Sequence, residues 1–401
     1  MSHTTLRHIF LGLFLLLLFH FETLSIGGVK ISHLWKGLAL LYISFYLIKN
    51  NKIYLFIYGS YILIAIIQLV HIDLSNGIST PIFKFIITLF FPLTGIFLLK
   101  YNVNQLKYSL LYFSYFFILS FIPYKLGIIN SINDGYLLES FGSESFGLIG
   151  PYQSAHSASI TLASALVVIV FFWFEGSVKK RFLFPILLLG IYFLLITYVR
   201  TGLVMFILGI LPIFYRFFKK NAKYRIRIIL MGSFITFFTA IQIFSNNVLV
   251  DRISGNRISN SEDTFESMGS GRGRIWLASA LVYLNSSNTE KIIGMGELEQ
   301  QKRIGKLTGM NISSHNGFLD LLLVNGIIGL ILFLIFLYRV YKYILAKKSN
   351  YNTLAMSLLI LYLTMCFFQG YNWINTALIL MLSLGLCRNT ILQEKNQKKL
   401  I

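Results

Sequence analysis

The feature that most constrains the fold is a series of apolar runs along the whole chain. Each run is about twenty residues long, the length a helix needs to cross the ~30 Å hydrocarbon layer of a membrane. The sequence therefore predicts an all-α integral membrane protein, a polytopic bundle of about twelve transmembrane helices. The predicted spans are 6–22, 31–48, 53–71, 82–99, 108–124, 155–175, 182–199, 201–218, 227–245, 316–338, 352–369 and 371–388.

Composition supports a membrane protein and argues against a nucleic-acid partner. Charged residues make up 12% of the 401 positions, whereas a soluble protein carries about 25%. The net charge of +20 would suggest nucleic-acid binding in a soluble chain, but here the placement of the charges explains it. Cys366 and Cys387 both fall in apolar runs, so neither a disulfide nor a zinc framework is indicated.

The loops between the spans alternate in charge. One set of loops holds 22 of the 35 Lys and Arg residues with only two acids, and the other set holds 12 of the 15 acids. Basic loops stay in the cytoplasm, so we predict a multi-pass protein with both termini cytoplasmic. The first apolar run lacks a small-residue cleavage site, which predicts an uncleaved first helix.

The same pattern divides the chain into three parts. Residues 1–245 hold helices one to nine with short loops and a smaller outer loop at 125–154, residues 246–315 form a large outer loop, and residues 316–401 hold the last three helices and a cytoplasmic tail. The large loop contains eight basic and seven acidic residues. It is too polar for lipid and long enough to fold partly over the membrane surface.

Two arginine-containing stretches lie on the predicted outer face. In "TYVRTGLVMF", Arg200 occupies a very short turn between two spans; such a charge indicates a functional site or an arginine that reaches up to lipid phosphates. In "SGRGRIW" at 270–276, glycines surround Arg272 and Arg274. Guanidinium forks pair with phosphate oxygens, so the stretch is an anion-binding candidate, the alternative being an ordinary solvated loop.

A third stretch, "SSHNGFLDLLLVNGIIGL" at 313–330, places His315 and Asn316 at the start of a span and Asp320 inside it. A lone carboxylate in a membrane is costly and needs a partner, for which His315, Arg200 and Arg272 are the candidates. Gly326 and Gly329 would let a neighbouring helix pack closely.

Together these stretches resemble the O-antigen ligase and polymerase superfamily, bacterial envelope enzymes that transfer glycans from undecaprenyl diphosphate. The array His315-Asn316, nine residues, Gly326, two residues, Gly329 is similar to the superfamily signature. "VRTGL" at 199–203 resembles its arginine at the head of a middle helix. "GRGRIW" followed by "IIGMGELE" resembles its Gly-Arg, three residues, aromatic segment and the following Gly-x-Gly.

The resemblance implies a metal-independent, inverting glycosyltransferase without a cofactor. Arg200 and Arg272 would neutralise the donor diphosphate as its leaving charge grows, and His315 would accept the proton of the incoming sugar hydroxyl. Asp320 would orient or charge-stabilise the imidazole, and Asn316 would fix its rotamer. The remaining substrate-binding candidates are Arg274, Gln153, His156 and Trp276.

The implied partners are an undecaprenyl-diphosphate-linked oligosaccharide, an acceptor glycan, membrane lipid and a chain-length regulator, at the outer face of the bacterial inner membrane. We favour a polymerase of lipid-linked repeat units, because Leu203 stands three residues after Arg200 where the ligases often place leucine four residues on, and because the loop is rich in Arg and Gly. A ligase that transfers glycan to lipid A core is the alternative. A transporter of lipid-linked glycan is a more distant one, since no span carries an internal cluster of Lys and Arg.

Overall fold

The structure is a computed structural model of the chain. It describes residues 55–71, 103–130, 147–152, 154–220, 268–346, 349–371 and 383–387, with short stretches and single positions within 6–38 and 222–237. The spans predicted at 6–22, 31–48, 82–99, 227–245 and 371–388 lie wholly or largely outside these residues. The count of twelve spans therefore remains a prediction.

Within the described residues the chain is helical, apart from one antiparallel pair of two-residue strands, β1 (Ser25–Ile26) and β2 (Val29–Lys30). The helices are α1 (Leu55–Val70), α2 (Val103–Leu119), α3 (Ile122–Lys125), α4 (Ala155–Glu175), α5 (Lys180–Ile196), α6 (Arg200–Lys220), α7 (Met268–Leu284), α8 (Asn288–Ile293), α9 (Glu297–Thr308), α10 (Gly317–Ala346) and α11 (Asn352–Phe368).

Four stretches are long and apolar enough to cross a membrane: Val103–Lys125, Ala155–Glu175, Arg200–Lys220 and Gly317–Leu345. The spans predicted at 108–124, 155–175 and 201–218 lie within the first three of them. The helical fold class is thereby confirmed, with four candidate membrane spans in the described residues.

Helix α4 forms the centre of the bundle and packs against α2, α5, α6 and α11. It is buried on nearly every side, which explains why its sequence is apolar all round instead of on one face. The helix begins where Ser157 N donates to the Ser154 side chain at 3.2 Å, and it ends at Gly176 in the left-handed region, φ 82°.

Two glycines of α6 permit close helix packing. A Cβ on Gly202 would lie 2.6 Å from Ser159 Cβ, and one on Gly209 would lie 2.9 Å from both Val167 and Leu361 side chains. The Arg-Thr-Gly sequence that opens α6 thus holds Arg200 beside the start of α4.

Two basic residues of the predicted basic loops, Lys107 and Arg216, lie at the same end of the bundle. Lys107 Nζ lies 3.2 Å from Glu175 Oε1, which joins the start of α2 to the end of α4. Arg216 Nη1 donates to Asn350 O and Thr353 Oγ1, both at 2.7 Å, which joins α6 to the start of α11. Arg200, at the head of α6, therefore belongs to the opposite end.

Helix α10 is bent sharply at Gly326, whose backbone is non-helical with φ 66° and ψ −170°. In a straight helix, Phe318 and Phe333 would be separated by roughly 22 Å along the axis. Their ring centroids lie 6.0 Å apart, so the segment 317–325 folds back towards the segment 327–346. The single straight span predicted at 316–338 is replaced by two helices joined at a bend.

Part of the large outer loop fills this bend. Met295 N donates to Leu323 O at 2.9 Å and Gly296 N donates to Val324 O at 3.2 Å, which satisfies carbonyls that the interrupted helix leaves free. A Cβ on Gly326 would lie 2.2 Å from Ile292 O. The close neighbour of Gly326 is therefore the backbone at the end of α8, so a short helix packs against the glycine, as the sequence suggested.

The described part of the predicted outer loop, residues 268–315, packs around a small apolar cluster. Helices α7 and α9, the connection that carries Met295, and α10 together bury this cluster of Ile275, Val282, Met295, Ile304 and Leu323. At the end of α1, a ring nitrogen of His71 lies 2.9 Å from Ile293 O. This segment thus contacts both α1 and α10.

Candidate active site

Arg200 is the first residue of α6 and is exposed. The turn before it is constrained, because Tyr198 has φ 55°, a left-handed conformation that is uncommon for a large side chain. A cation at a helix N-terminus opposes the helix dipole, which favours negative charge there. The position of Arg200 therefore suits a site in which its guanidinium and the N-terminus of α6 bind the same anion.

Arg272 lies at the start of α7 and is half-buried. Its guanidinium carbon lies 6.0 Å from the centroid of the Phe368 ring, at the end of α11. Burial lowers the pKa of Arg272, and the positive charge of Arg200 lowers it further. The two guanidinium groups are thus close enough to repel each other.

No carboxylate in the described part of the chain forms an ion pair with either arginine. The ion pairs found there join Lys107 to Glu175 and Arg303 to Glu290 and Glu299. Two neighbouring arginines without a paired carboxylate create a site with an excess of positive charge. Such a site favours a polyanion such as a diphosphate.

His315 precedes α10 and faces the charge of Arg272. It is half-buried and has φ 52°, a left-handed conformation in which histidine is one of the better tolerated residues. Burial lowers the pKa of His315 below its ordinary value, and the charge of Arg272 lowers it further. The imidazole is therefore neutral at neutral pH and able to accept a proton.

The two residues after His315 fix where α10 begins. Asn316 Oδ1 accepts hydrogen bonds from Phe318 N at 3.0 Å and from Leu319 N at 3.2 Å, which makes Asn316 the N-cap of the helix. A Cβ on Gly317 would lie 2.7 Å from Tyr371 N. The His-Asn-Gly sequence thus combines a site residue, a helix cap and a close backbone contact.

Asp320 lies one turn into α10 and is 9% exposed. Its Oδ1 accepts from Ser314 N at 2.9 Å, from Ser314 Oγ at 2.7 Å and from Gln300 Nε2 at 2.7 Å. The sequence had suggested His315, Arg200 or Arg272 as partners for this carboxylate. These three hydrogen bonds come instead from the neutral side chains of Ser314 and Gln300 and from the backbone amide of Ser314.

Comparison with known proteins identifies the domain that contains these residues. Residues 185–334 match a family model described as O-antigen ligase. This match supports a domain of the O-antigen ligase and polymerase superfamily at these residues. Members of this superfamily are glycosyltransferase-like enzymes, and their substrates are lipid-linked glycans. No curated protein sequence matches the chain.

The match runs from α5 to the second half of α10 and confirms the resemblance seen in the motifs. It includes Arg200, Arg272, His315 and both signature glycines. In the structure Gly326 provides the bend, while a Cβ on Gly329 would lie 2.2 Å from Asn325 Cβ. The glycines of the superfamily signature here shape the helix that follows His315.

The structure distinguishes the two arginines of the superfamily's Gly-Arg segment. Arg274 is exposed, whereas Arg272 is half-buried and interacts with Arg200, His315 and the Phe368 ring. Residues two apart on a helix point about 200° apart, so the two side chains face different surroundings. The geometry supports Arg272 as the arginine of the site.

The other predicted substrate-binding residues are placed as follows. His156, at the head of α4, has its Nδ1 3.0 Å from Gln369 Nε2. Trp276 packs edge-on against Phe367 with ring centroids 5.4 Å apart, and its indole nitrogen is buried without a hydrogen-bond partner. Gln153 lies outside the described residues.

Sequence reasoning missed Phe368 and Gln369, which bring the end of α11 to Arg272 and His156. Their only sequence signal is a polar residue after the apolar run "MCFF", which is common at span ends. In the described residues, no three His, Cys, Asp or Glu side chains lie together as metal ligands. The positive charge at the site comes from the arginines.

Proposed function

We propose that this protein is a polymerase of lipid-linked oligosaccharide repeat units. It acts as a metal-independent, inverting glycosyltransferase at the outer face of the bacterial inner membrane, with undecaprenyl-diphosphate-linked glycan as donor. The observation that carries the proposal is the position of half-buried Arg272, which packs against the Phe368 ring and acts electrostatically on both Arg200 and His315, although the three residues come from three separate segments.

Each residue has a role in the proposed transfer. Arg200 and Arg272 bind the diphosphate and stabilise the negative charge that develops as the bond between C1 of the donor sugar and the phosphate oxygen breaks. His315 removes the proton from the acceptor hydroxyl, whose oxygen attacks C1 from the opposite side. The products are an elongated glycan with inverted configuration and undecaprenyl diphosphate.

The lowered pKa of His315 fits the role of general base. A neutral imidazole near Arg272 can accept a proton when the donor is bound, because the diphosphate offsets the positive charge that would otherwise disfavour protonation. The same arrangement keeps the imidazole unprotonated in the free enzyme. Donor binding thereby prepares the base for the acceptor.

Ligase activity is the second candidate, since the matching family model is described as O-antigen ligase. A ligase would use the same donor site and transfer the glycan to lipid A core. Support for a polymerase comes from the spacing of Leu203 after Arg200 and from the Arg-Gly-rich segment at 270–276. The two activities differ in the acceptor.

The deciding experiment offers purified protein in nanodiscs a single undecaprenyl-diphosphate-linked repeat unit, with and without lipid A core, in excess EDTA. A polymerase produces a ladder of lipid-linked products without lipid A core. A ligase produces no ladder and transfers one glycan when lipid A core is present. The proposal fails if neither transfer occurs, or if His315→Ala at matched protein concentration is as active as the parent.

A further inference from the structure

The backbone at His315 requires support from its surroundings. A residue other than glycine with φ 52° occupies an unfavourable conformation, and such conformations persist only where neighbouring contacts hold them. His315 lies between Ser314 and the helix cap Asn316. The contacts made by these two neighbours therefore determine where the imidazole points.

Ser314, the residue before His315, is hydrogen-bonded to two residues that follow the histidine. Its hydroxyl lies 2.9 Å from Asn316 O and 2.7 Å from Asp320 Oδ1, and it accepts from Asn316 N at 3.2 Å. Its backbone N donates to the same carboxylate oxygen at 2.9 Å. Ser314 thus closes a tight loop around the histidine.

Gln300 ties this loop to a different helix. It lies on α9, and its Nε2 donates to Asp320 Oδ1 at 2.7 Å. Gln300 and Ser314 are both fully buried, at 0% exposure. The other amide atom of Gln300, Oε1, is buried without a hydrogen-bond partner, which costs free energy. The stabilising hydrogen bond that Gln300 makes here is therefore the one from Nε2 to the Asp320 carboxylate.

We propose that Gln300 and Ser314, acting through Asp320, are positioning residues that hold His315 in its left-handed conformation and aim its imidazole at the acceptor. Asp320 serves as a hydrogen-bond acceptor for the loop, and α9 provides the rigid support. This inference rests on the proposed function of His315 as general base.

The central test is a double-mutant cycle between Gln300 and His315. Gln300→Met keeps the length of the side chain and removes the donor, and we expect it to lower kcat about tenfold, the effect of one lost hydrogen bond, with KM for the donor unchanged. In the His315→Ala background, assayed with imidazole in solution as a replacement base, Gln300→Met should have no further effect. Gln301→Met is the matched control, because Gln301 Nε2 donates to Glu297 Oε1 on the same helix.

A second comparison uses Asp320 and does not depend on rescue by imidazole. Asp320→Asn keeps an oxygen that can accept the three hydrogen bonds, and it should retain most of kcat. Asp320→Leu removes the acceptor and should lose at least as much kcat as Gln300→Met. Equal losses for the asparagine and leucine variants would show that the charge is required, and this would overturn a role based on hydrogen bonds.

The outcomes separate the two proposals. If His315→Ala keeps full activity, the proposed function fails. If His315→Ala is inactive but Gln300→Met behaves like Gln301→Met, or reduces kcat equally with and without His315, the positioning role fails while the function of His315 stands.

Discussion

At the scale of single residues, the arginines test whether the site recognises a diphosphate. Arginine binds phosphate oxygens through a planar two-point fork, whereas lysine offers a single point charge. We expect Arg200→Lys and Arg272→Lys to lose much of kcat with an excess of EDTA present, and the alanine variants to lose nearly all of it. Arg274 is exposed and lies two residues after Arg272. It provides the matched control, and Arg274→Lys should remain active. Full activity of both lysine variants, together with strict dependence on Mg²⁺ or Mn²⁺, would contradict the mechanism.

His315 should give the reaction a characteristic pH dependence. Its pKa is lowered by burial and by Arg272, so the active neutral form persists below the ordinary value of about 6.5. Activity, measured as kcat/KM, should fall only as the pH drops through that lowered pKa.

Replacing Arg272 by glutamine should move this acidic limb to higher pH. The change removes a positive charge that faces His315 from α7, while Arg200 on α6 and Asp320 on α10 remain. The residual kcat/KM of Arg272→Gln, followed between about pH 5 and 8, provides the measurement. An unchanged limb would mean that His315 is not the titrating group.

At the scale of elements, the bend of α10 depends on Gly326. Alanine there would meet Ile292 O at 2.2 Å and would keep a positive φ, so it should displace either the loop at 292–296 or the segment that carries His315. We expect Gly326→Ala to lower the melting temperature in detergent and to abolish most activity.

Gly309→Ala is the control that shows whether the losses in Gly326→Ala come from the steric contact or from the positive φ. Gly309 also has a positive φ, of 80°, but no atom lies within 4 Å of its added Cβ. This variant should lose about 1–2 kcal/mol of stability, from backbone strain alone. Equal behaviour of the two variants would show that the contact with the loop at 292–296 is unimportant.

The sequence predicted the features that depend on residues close together in the chain, but not the contacts between residues far apart in it. Hydropathy was sufficient for the helices at 155–175 and 201–218, because it depends on neighbouring residues. The short turn before Arg200 was likewise visible in the sequence. The bond between His156 and Gln369 joins residues 213 positions apart, and local pattern carries no information about such a pair.

Asp320 shows the same limit at closer range. Its position inside an apolar run revealed that it needed a partner, but the choice between His315, an arginine and Gln300 depends on how α9 packs against α10. That packing follows from the bend at Gly326, which the sequence indicates only as a glycine in a helical run. Helices were predictable, and the folding back of one helix was not.

At the scale of the whole molecule, the bundle has two chemically different ends. One end joins residues of the basic loops, Lys107 with Glu175 and Arg216 with Asn350. The other end carries the arginines, His315 and the helices of the outer loop. Because basic loops remain in the cytoplasm, this polarity predicts that the site faces outwards, where a lipid-linked donor and its acceptor meet after translocation.

Single cysteines at the two ends test this orientation. Asn288, at the start of α8, and Asn350, before α11, are both exposed, whereas the native Cys366 and Cys387 are fully buried and should react little. Asn288→Cys should react with a membrane-impermeant thiol reagent in intact spheroplasts, and Asn350→Cys should react only after lysis. Asn350 bonds Arg216 at 2.7 Å through its backbone oxygen, which the substitution retains, and both variants should therefore still polymerise. If Asn350→Cys were labelled from outside and Asn288→Cys only after lysis, the topology would be the reverse of the one predicted. The arginines and His315 would then lie on the cytoplasmic side, where an externally delivered acceptor could not reach them.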